Sequence, residues 1–410
     1  ISESEKFYIE KININGNFNT LEEVVRNNLI VDEGDPFNEI LFNRSINDIQ
    51  SLGIFKKVET NIQKGSKDSF KIIDLNVEER PTGEISVSAG FGTEGGTIGA
   101  GIKENNFLGK GINLNTNFEI NADSVKGQFI YAKPNFNYSD NTLFTSLKSS
   151  TSDFLTDSGY KTSELGFSLG TRFEQFQNIY LSPELDFLIE DLETSSKASN
   201  TIKKQEGSYT DLYFNYSIRQ DLRDKKFRTE DGFVTTFSQE LPVVSDNSEL
   251  ANSFDITKYK KLSTRSDMVA KVSFYGKTIT GLSDDVRISK RLYIPASRLR
   301  GFEKGKVGPV DNNDFVGGNH LTSLNMSATL PNIFEGLDNL DVGVFFDAAN
   351  IWGIDYDSSL DDKSTIRSST GVALNLMTPI GPLSFSFANA LSKASSDKTE
   401  SFRFNLGTQF

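Results

Sequence analysis

Ile112-Asn113-Leu114-Asn115-Thr116-Asn117-Phe118-Glu119-Ile120 alternates residue by residue. Ile112, Leu114, Thr116, Phe118 and Ile120 fall on one side, with Asn113, Asn115, Asn117 and Glu119 on the other. A period of two places these sets on opposite faces of a β-strand. The pattern recurs in Ile85, Val87, Ala89 and Phe91 against Glu84, Ser86, Ser88 and Gly90. It returns in Leu324, Met326, Ala328 and Leu330, in Leu383, Phe385 and Phe387, and in Phe402, Phe404, Leu406 and Phe410. From Gly83 onward no helical period interrupts it. A soluble sandwich alternates too, but it buries one set of faces in one core. Roughly 330 residues of unbroken pattern offer no second core element. At about 20 residues per strand and connection, this predicts a transmembrane antiparallel β-barrel of about 16 strands. Closure removes every sheet edge.

Composition narrows the function. The chain has 410 residues, no cysteine, one histidine (His320) and a formal net charge of -13. Disulfide frameworks and thiolate chemistry are excluded. The acidic balance argues against nucleic acid, whose phosphates must be neutralised by Lys and Arg. No apolar run is long enough for a membrane helix, a limit that does not apply to strands. Ile1-Ser2-Glu3-Ser4 does not read as a signal peptide, which suggests a mature or trimmed chain.

Residues 1–80 read differently. Phe7 to Asn13 alternates as a strand. Thr20 with Glu23 three residues on predicts a capping box opening a helix with Leu21, Val24, Val25 and Leu29 on its apolar face. Gly34-Asp35-Pro36 breaks it, and a second helix runs from about Asn38 to Leu52, stopped by Gly53. Strands follow at about Phe55 to Gln63 and Phe70 to Glu79, then a linker, Glu78-Glu79-Arg80-Pro81. The order is β-α-α-β-β. The plain reading is a small α+β domain without chemistry of its own. The sharper one is an interaction module whose sheet edge accepts peptide strands.

Residues 81–410 form the predicted barrel, and one connection within it is unusually long, about Ser283 to Gly318. Loops of this length are functional or disordered. Leu299-Arg300-Gly301-Phe302 lies in its middle. An arginine folded inward needs an acceptor. In the alternating run Asp341 to Ala349, Asp347 sits opposite Val342, Val344, Phe346 and Ala348, on the face that points into a barrel lumen. Arg300 reaching Asp347 would tie the loop inside.

Three enzyme-like patterns fail on context. Gly166-Phe167-Ser168-Leu169-Gly170 matches a nucleophile elbow, which needs a strand-turn-helix, but it lies within alternation. Gly90-Phe91-Gly92-Thr93-Glu94-Gly95 matches a dinucleotide fingerprint, but Thr97 to Ile102 reads as a strand where a helix should follow. Its glycines instead predict a weak strand with a turn at Gly95-Gly96. Asp361-Asp362 reads as solvated loop charge rather than a metal site.

These motifs carry a resemblance. The first segment, with its Leu52-Gly53-Ile54-Phe55 turn, resembles a polypeptide-transport-associated (POTRA) domain. The remainder resembles the barrel of the BamA family of outer-membrane β-barrel assembly factors. Leu299-Arg300-Gly301-Phe302 stands for its Val-Arg-Gly-Phe/Tyr loop motif, and Phe346-Asp347-Ala348-Ala349-Asn350-Ile351-Trp352 for its Phe-Asp-x-Gly-x-x-Trp strand end. Asp221-Leu222-Arg223-Asp224 with Thr229 and Gly232, Gly92-Thr93-Glu94, and Asn105-Asn106-Phe107-Leu108-Gly109 resemble further family segments. Asn325 departs from the pattern, standing where a second luminal carboxylate is expected. The family carries several POTRA domains, and only one precedes this barrel.

The resemblance implies a non-enzymatic insertase in the bacterial outer membrane, with the POTRA domain in the periplasm and no cofactor or metal. Its partners would be nascent outer-membrane β-barrel proteins, periplasmic accessory lipoproteins and chaperones, and outer-membrane lipid. The alternative is a secretion transporter of the same superfamily passing an unfolded passenger through the lumen. A plain diffusion porin is disfavoured by the N-terminal domain and the inward loop motif. The implied working element is a seam between the first and last barrel strands. Its candidate residues are Ser86, Ser88, Gly90 and Gly92 on one side and Arg403, Asn405, Gly407, Gln409 and Phe410 on the other. Parity gives Ser86, Ser88, Asn405 and Gln409 a shared luminal face, so a pairing of Ser86 or Ser88 with Asn405 or Gln409 is expected.

Overall fold

The computed structural model describes residues 6–226, 228–263, 268–331, 339–360, 363–378 and 381–407. Its N-terminal part is a three-stranded sheet in which Phe70–Glu79 is central. Tyr8–Asn15 runs parallel to it and Phe55–Lys64 antiparallel. Two helices, Glu22–Arg26 and Glu39–Ser51, fill the crossover between Tyr8–Asn15 and the later strands. Val25, Phe42 and Ile49 from the helices bury against Ile9, Ile12, Ile73 and Leu75 from the sheet. Asn38 caps the longer helix, its side chain accepting from the amides of Ile40 and Leu41. Gly53 ends it at φ +69°, a conformation that disfavours other residues.

The capping box at Thr20 does not form. The first helix begins at Glu22 after Leu21, and no side chain caps it. Thr20 is buried instead, and its amide donates to Glu79 Oε1 at 2.7 Å. The Asn19 amide donates to the same carboxylate at 3.1 and 3.0 Å, and its Nδ2 at 2.9 Å. A carboxylate from the central strand thus serves the amides ahead of the helix. Burial pushes Glu79 up in pKa, but hydrogen bonds from Thr20 and Asn19 outweigh it and hold it below the ordinary glutamate value.

The rest of the chain is one closed antiparallel barrel of sixteen strands, from Gly83–Gly92 to Phe402–Leu406. Each strand pairs with its neighbour in sequence, and the first pairs with the last. Outward residues stay exposed: Ile85 and Val87 are each 80% accessible. Polar residues of the inner faces are buried, among them Ser168, Glu190, Asp211, Asp347 and Ser369. Apolar side out and polar side in is the arrangement a bilayer demands, and every paired backbone group is satisfied within the ring. Among the described residues no helix is long and apolar enough to cross a membrane.

Two local expectations shift. The first hairpin turns at Thr93-Glu94, not at Gly95-Gly96, because Gly95 takes φ +100° and already opens the next strand. Gly166 to Gly170 lies within the strand Tyr160–Phe176, with no elbow. Asp361-Asp362 lies outside the described residues.

Candidate functional site: the anchored loop and the seam

The long connection joins the strands Val269–Gly281 and His320–Thr329. It holds a short 3-10 turn, Ile288–Lys290, and a small hairpin, Val310–Asp311 with Asp314–Phe315. Three arginines, Arg287, Arg298 and Arg300, pin it to carboxylates on barrel strands, and a fourth, Arg291, pairs with Asp355 in the connection after Leu340–Trp352. Arg300 alone was legible in the sequence.

Arg300 Nε lies 2.7 Å from Asp347 Oδ2, its Nη2 2.8 Å from Asp347 Oδ1, and its own amide donates to Oδ2 at 3.1 Å. The guanidinium carbon stands 3.5 Å over the centre of the Phe345 ring. Asp347 is fully buried on the strand Leu340–Trp352. Asn325, directly opposite Asp347 in the neighbouring strand, donates to Oδ1 at 2.8 Å and to the Arg298 carbonyl at 2.7 Å. An amide here adds a donor to the carboxylate, where a second acid would have added a like charge. The site therefore balances one cation against one anion. Leu299 and Phe302 are buried with Ile294, Val307, Leu321, Ala349 and Ile351. Between them Gly301 takes φ +88°, and a Cβ there would stand 3.1 Å from Ala388 Cβ and 3.2 Å from Ser369 Cβ. The motif thus combines two apolar pegs, a charge and a left-handed glycine.

Arg287, at the root of the loop, is fully buried among three carboxylates. Glu190, Asp211 and Glu249 come from the strands Ile179–Thr194, Gly207–Asp221 and Glu249–Lys261. Nη1 lies 3.1 Å from Glu190 Oε2, and Nη2 bonds Asp211 and lies 3.5 Å from Glu249 Oε2. The Arg287 amide also donates to Glu249 Oε1 at 2.9 Å, and the guanidinium stacks 4.4 Å over Tyr209. Lys290 adds a second cation 3.9 Å from Glu190. Arg291 pairs with Asp355, and Arg298 with Asp255 at 2.7 Å. Buried ions cost several kcal/mol each to desolvate, so such pairs persist only where geometry offsets the cost. Sequence inspection had a weak signal for them: acidic residues on polar faces, with nothing to say which converge.

Among the described residues, first and last strands share two residue pairs, Asn405 with Gly92 and Leu406 with Phe91. By contrast, the ladder between Ile179–Thr194 and Gly207–Asp221 runs nearly the whole strand. Thr93 extends the contact: its amide donates to the Phe404 carbonyl at 3.1 Å, and its Oγ1 accepts from the Phe404 amide at 2.9 Å. Gly407, at φ +99°, turns its amide to the Pro382 carbonyl at 3.0 Å, and the described ladder stops there. Gly90 lies beside it, since a Cβ on Gly407 would come 2.9 Å from Gly90 Cα. Ser86 and Ser88 are half-buried on the first strand. Of the expected pairings, those of Asn405 with Ser86 or Ser88 do not form, because register places Gly92 opposite Asn405, and those of Gln409 lie outside the described residues. Alternation specifies a face but not a register. Gln409 and Phe410 lie outside the described residues. Arg403 faces Glu94, 3.0 Å away.

The Omp85 superfamily domain matches residues 106–410, and the POTRA domain (surface antigen variable number repeat) residues 7–80. The outer membrane protein assembly factor BamA of Neorickettsia risticii is 24% identical over 99% of this chain and 56% of its own length. BamA of Neisseria meningitidis serogroup B is 25% identical over 100% of this chain and 57% of its own. The chain thus spans about half the length of the curated relatives it matches. The crystal structure of BamA from Haemophilus ducreyi lacking POTRA domains 1–3 superposes with a TM-score of 0.82 at 23% identity, over 98% of this chain and 85% of that one. CdiB from Acinetobacter baumannii shares the fold less closely, with a TM-score of 0.63 at 14% identity over 98% and 74%. The barrel lies in the bacterial outer membrane, with the POTRA domain in the periplasm. A POTRA domain followed by a sixteen-stranded barrel with an arginine-pinned inner loop places this chain in the Omp85 superfamily, to which it belongs.

Proposed function

We propose that this chain folds and inserts β-barrel proteins into the outer membrane, using the seam between its first and last strands as the template. One observation carries the reading: among the described residues the first and last strands meet in two residue pairs, whereas the ladder between Ile179–Thr194 and Gly207–Asp221 runs nearly the whole strand. An incoming strand brings unpaired backbone groups that are costly in hydrocarbon. A parted seam offers complementary edges, and pairing plus burial supplies the free energy without nucleotide or metal. Ser86, Ser88, Gly90 and Gly92 would present one edge, and Arg403, Asn405, Gly407, Gln409 and Phe410 the other. The anchored motif Leu299 to Phe302, held by Asp347 and Asn325, would keep the wall rigid while the seam moves. Residues 1–80 would act as the periplasmic receiving domain and residues 81–410 as the insertase barrel. The relatives named as assembly factors favour this over export of an unfolded passenger. Its clients would be nascent outer-membrane barrels, delivered with periplasmic chaperones and accessory lipoproteins.

The test is a locked seam. Phe91 and Leu406 face each other, and the chain has no cysteine of its own. Phe91→Cys with Leu406→Cys should form a disulfide, which requires Cα atoms within about 7 Å. Oxidation should stop the appearance of many different outer-membrane barrels, and reductant should restore it. A locked seam that inserts clients at the normal rate would overturn the proposal. Loss of one secreted passenger alone, with barrel levels unchanged, would favour the export reading.

A further inference from the structure

The loop and the last strand are bound to each other along their backbones. Glu400 N donates to the Gly301 carbonyl at 3.0 Å, Glu303 N to Lys398 O at 3.1 Å, and Lys398 N to Lys306 O at 3.0 Å. Arg403 Nη2 reaches the Phe302 carbonyl at 3.0 Å. The segment from Gly301 to Lys306 and the lead-in to the last strand thus form one body. The first hairpin meets that body through Glu94. Its Oε1 lies 3.0 Å from Arg403 Nη1 on the last strand, and its Oε2 3.0 Å from Lys304 Nζ on the loop. Arg403 is held for this by Glu400, which takes its Nε at 2.9 Å and Nη2 at 2.7 Å. Arg403 is largely buried, so its half of the contact is shielded from solvent, whereas the Lys304 side chain is 55% exposed. Among the described residues, two backbone pairs and one threonine do the rest of the joining.

We infer that Glu94 is a positioning residue that latches the hairpin end of the seam, taking one cation from the last strand and one from the loop, so that the seating of the loop governs seam opening. The hairpin end of the seam then cannot part until both ion pairs of Glu94 break. A loop displaced from its seat would carry Lys304 and the Phe302 carbonyl with it, leaving Arg403 without one of its fixed partners.

The inference rests on the seam reading above but is measured without any client. The amides of Thr93 and Phe404 bond across the seam, so their hydrogen exchange reports its opening directly. In the full chain in lipid bilayers, Glu94→Gln should speed exchange at both amides by about threefold or more. The amides of Leu185 and Phe214, in a full ladder, should be unchanged. Arg403→Gln should act in the same direction at Thr93, and the double variant should add little to the larger single effect. Lys304→Gln, at an exposed position, should give a smaller shift of the same sign even if Glu94→Gln folds poorly. Unchanged exchange in Glu94→Gln and Lys304→Gln, or strict additivity of Glu94→Gln with Arg403→Gln, overturns the latch. If exchange responds while the Phe91–Leu406 lock leaves assembly intact, the latch stands and the functional reading fails. If the lock stops assembly while exchange is unmoved, the functional reading stands and the latch fails.

Discussion

Arg300 holds Asp347 with both arms of its guanidinium and with its own backbone amide, at 2.7, 2.8 and 3.1 Å. A bidentate charged pair with a third donor from the same residue fixes the loop's position as well as its charge. Arg300→Ala leaves Asp347 buried with Asn325 as its remaining side-chain partner. The expected loss is about 2–3 kcal/mol. It should appear as a lower temperature of heat-modifiability on gels and as faster proteolysis of the loop. In a double-mutant cycle, Asp347→Ala should add far less on top of Arg300→Ala than on the parent. Strict additivity would show that the pair does not couple.

Arg287 carries the heavier load. Its removal exposes Glu190, Asp211 and Glu249 to one another, with Lys290, 3.9 Å from Glu190, as the remaining cation among the described residues. Arg287→Met should cost more than about 3 kcal/mol, exceeding Arg300→Ala. Adding Glu190→Gln should recover part of the loss, because it removes one uncompensated charge. A barrel that folds and melts like the parent with Met at this position would mean that the cluster contributes nothing.

Gly301 and Gly305 separate backbone strain from crowding. Both lie at positive φ, +88° and +70°, but a Cβ on Gly305 meets nothing within 4 Å. Gly305→Ala should cost about 1 kcal/mol, the left-handed penalty alone. Gly301→Ala should cost more, because the methyl group also presses on Ala388 and Ser369. Equal melting shifts for the two variants would place the whole effect in the backbone.

Glu79 should make the N-terminal domain sensitive to acid. Its folded pKa lies below the ordinary value. A depressed carboxylate contributes stability above its unfolded pKa, about 4.3 for glutamate. That contribution is lost as pH falls through the folded value. Hydrogen exchange at Asn19 and Thr20, corrected for intrinsic rates, should lose protection below about pH 4 in the parent. In Glu79→Gln protection should already be low at pH 7 and change little with acid. A parent whose protection is flat down to pH 3 would contradict the account.

Alternation after Gly83 was enough to assign strands, their faces and an approximate strand number, because side-chain direction in a strand depends on the residue's parity alone. Parity also set Asp347 on the inner face, within reach of a loop arginine. The longer helix of the N-terminal domain could be read from Asn38, Gly53 and the 3.6-residue spacing between them, all local signals.

What parity cannot carry is register and convergence. Asn405 stands opposite Gly92 rather than Ser86 or Ser88 because the ring's stagger is settled by all sixteen strands together. Glu190, Asp211 and Glu249 look alike in sequence: acids on polar faces of three separate strands. The order and register of neighbouring strands bring them to one buried arginine on the loop. Thr20 shows the same limit at short range, since its hydroxyl had the local pattern of a cap. Glu79, 59 residues away, supplied the stronger acceptor once the sheet had formed. Local geometry is written in neighbouring residues, whereas the pairing of distant charges exists only after the chain has closed on itself.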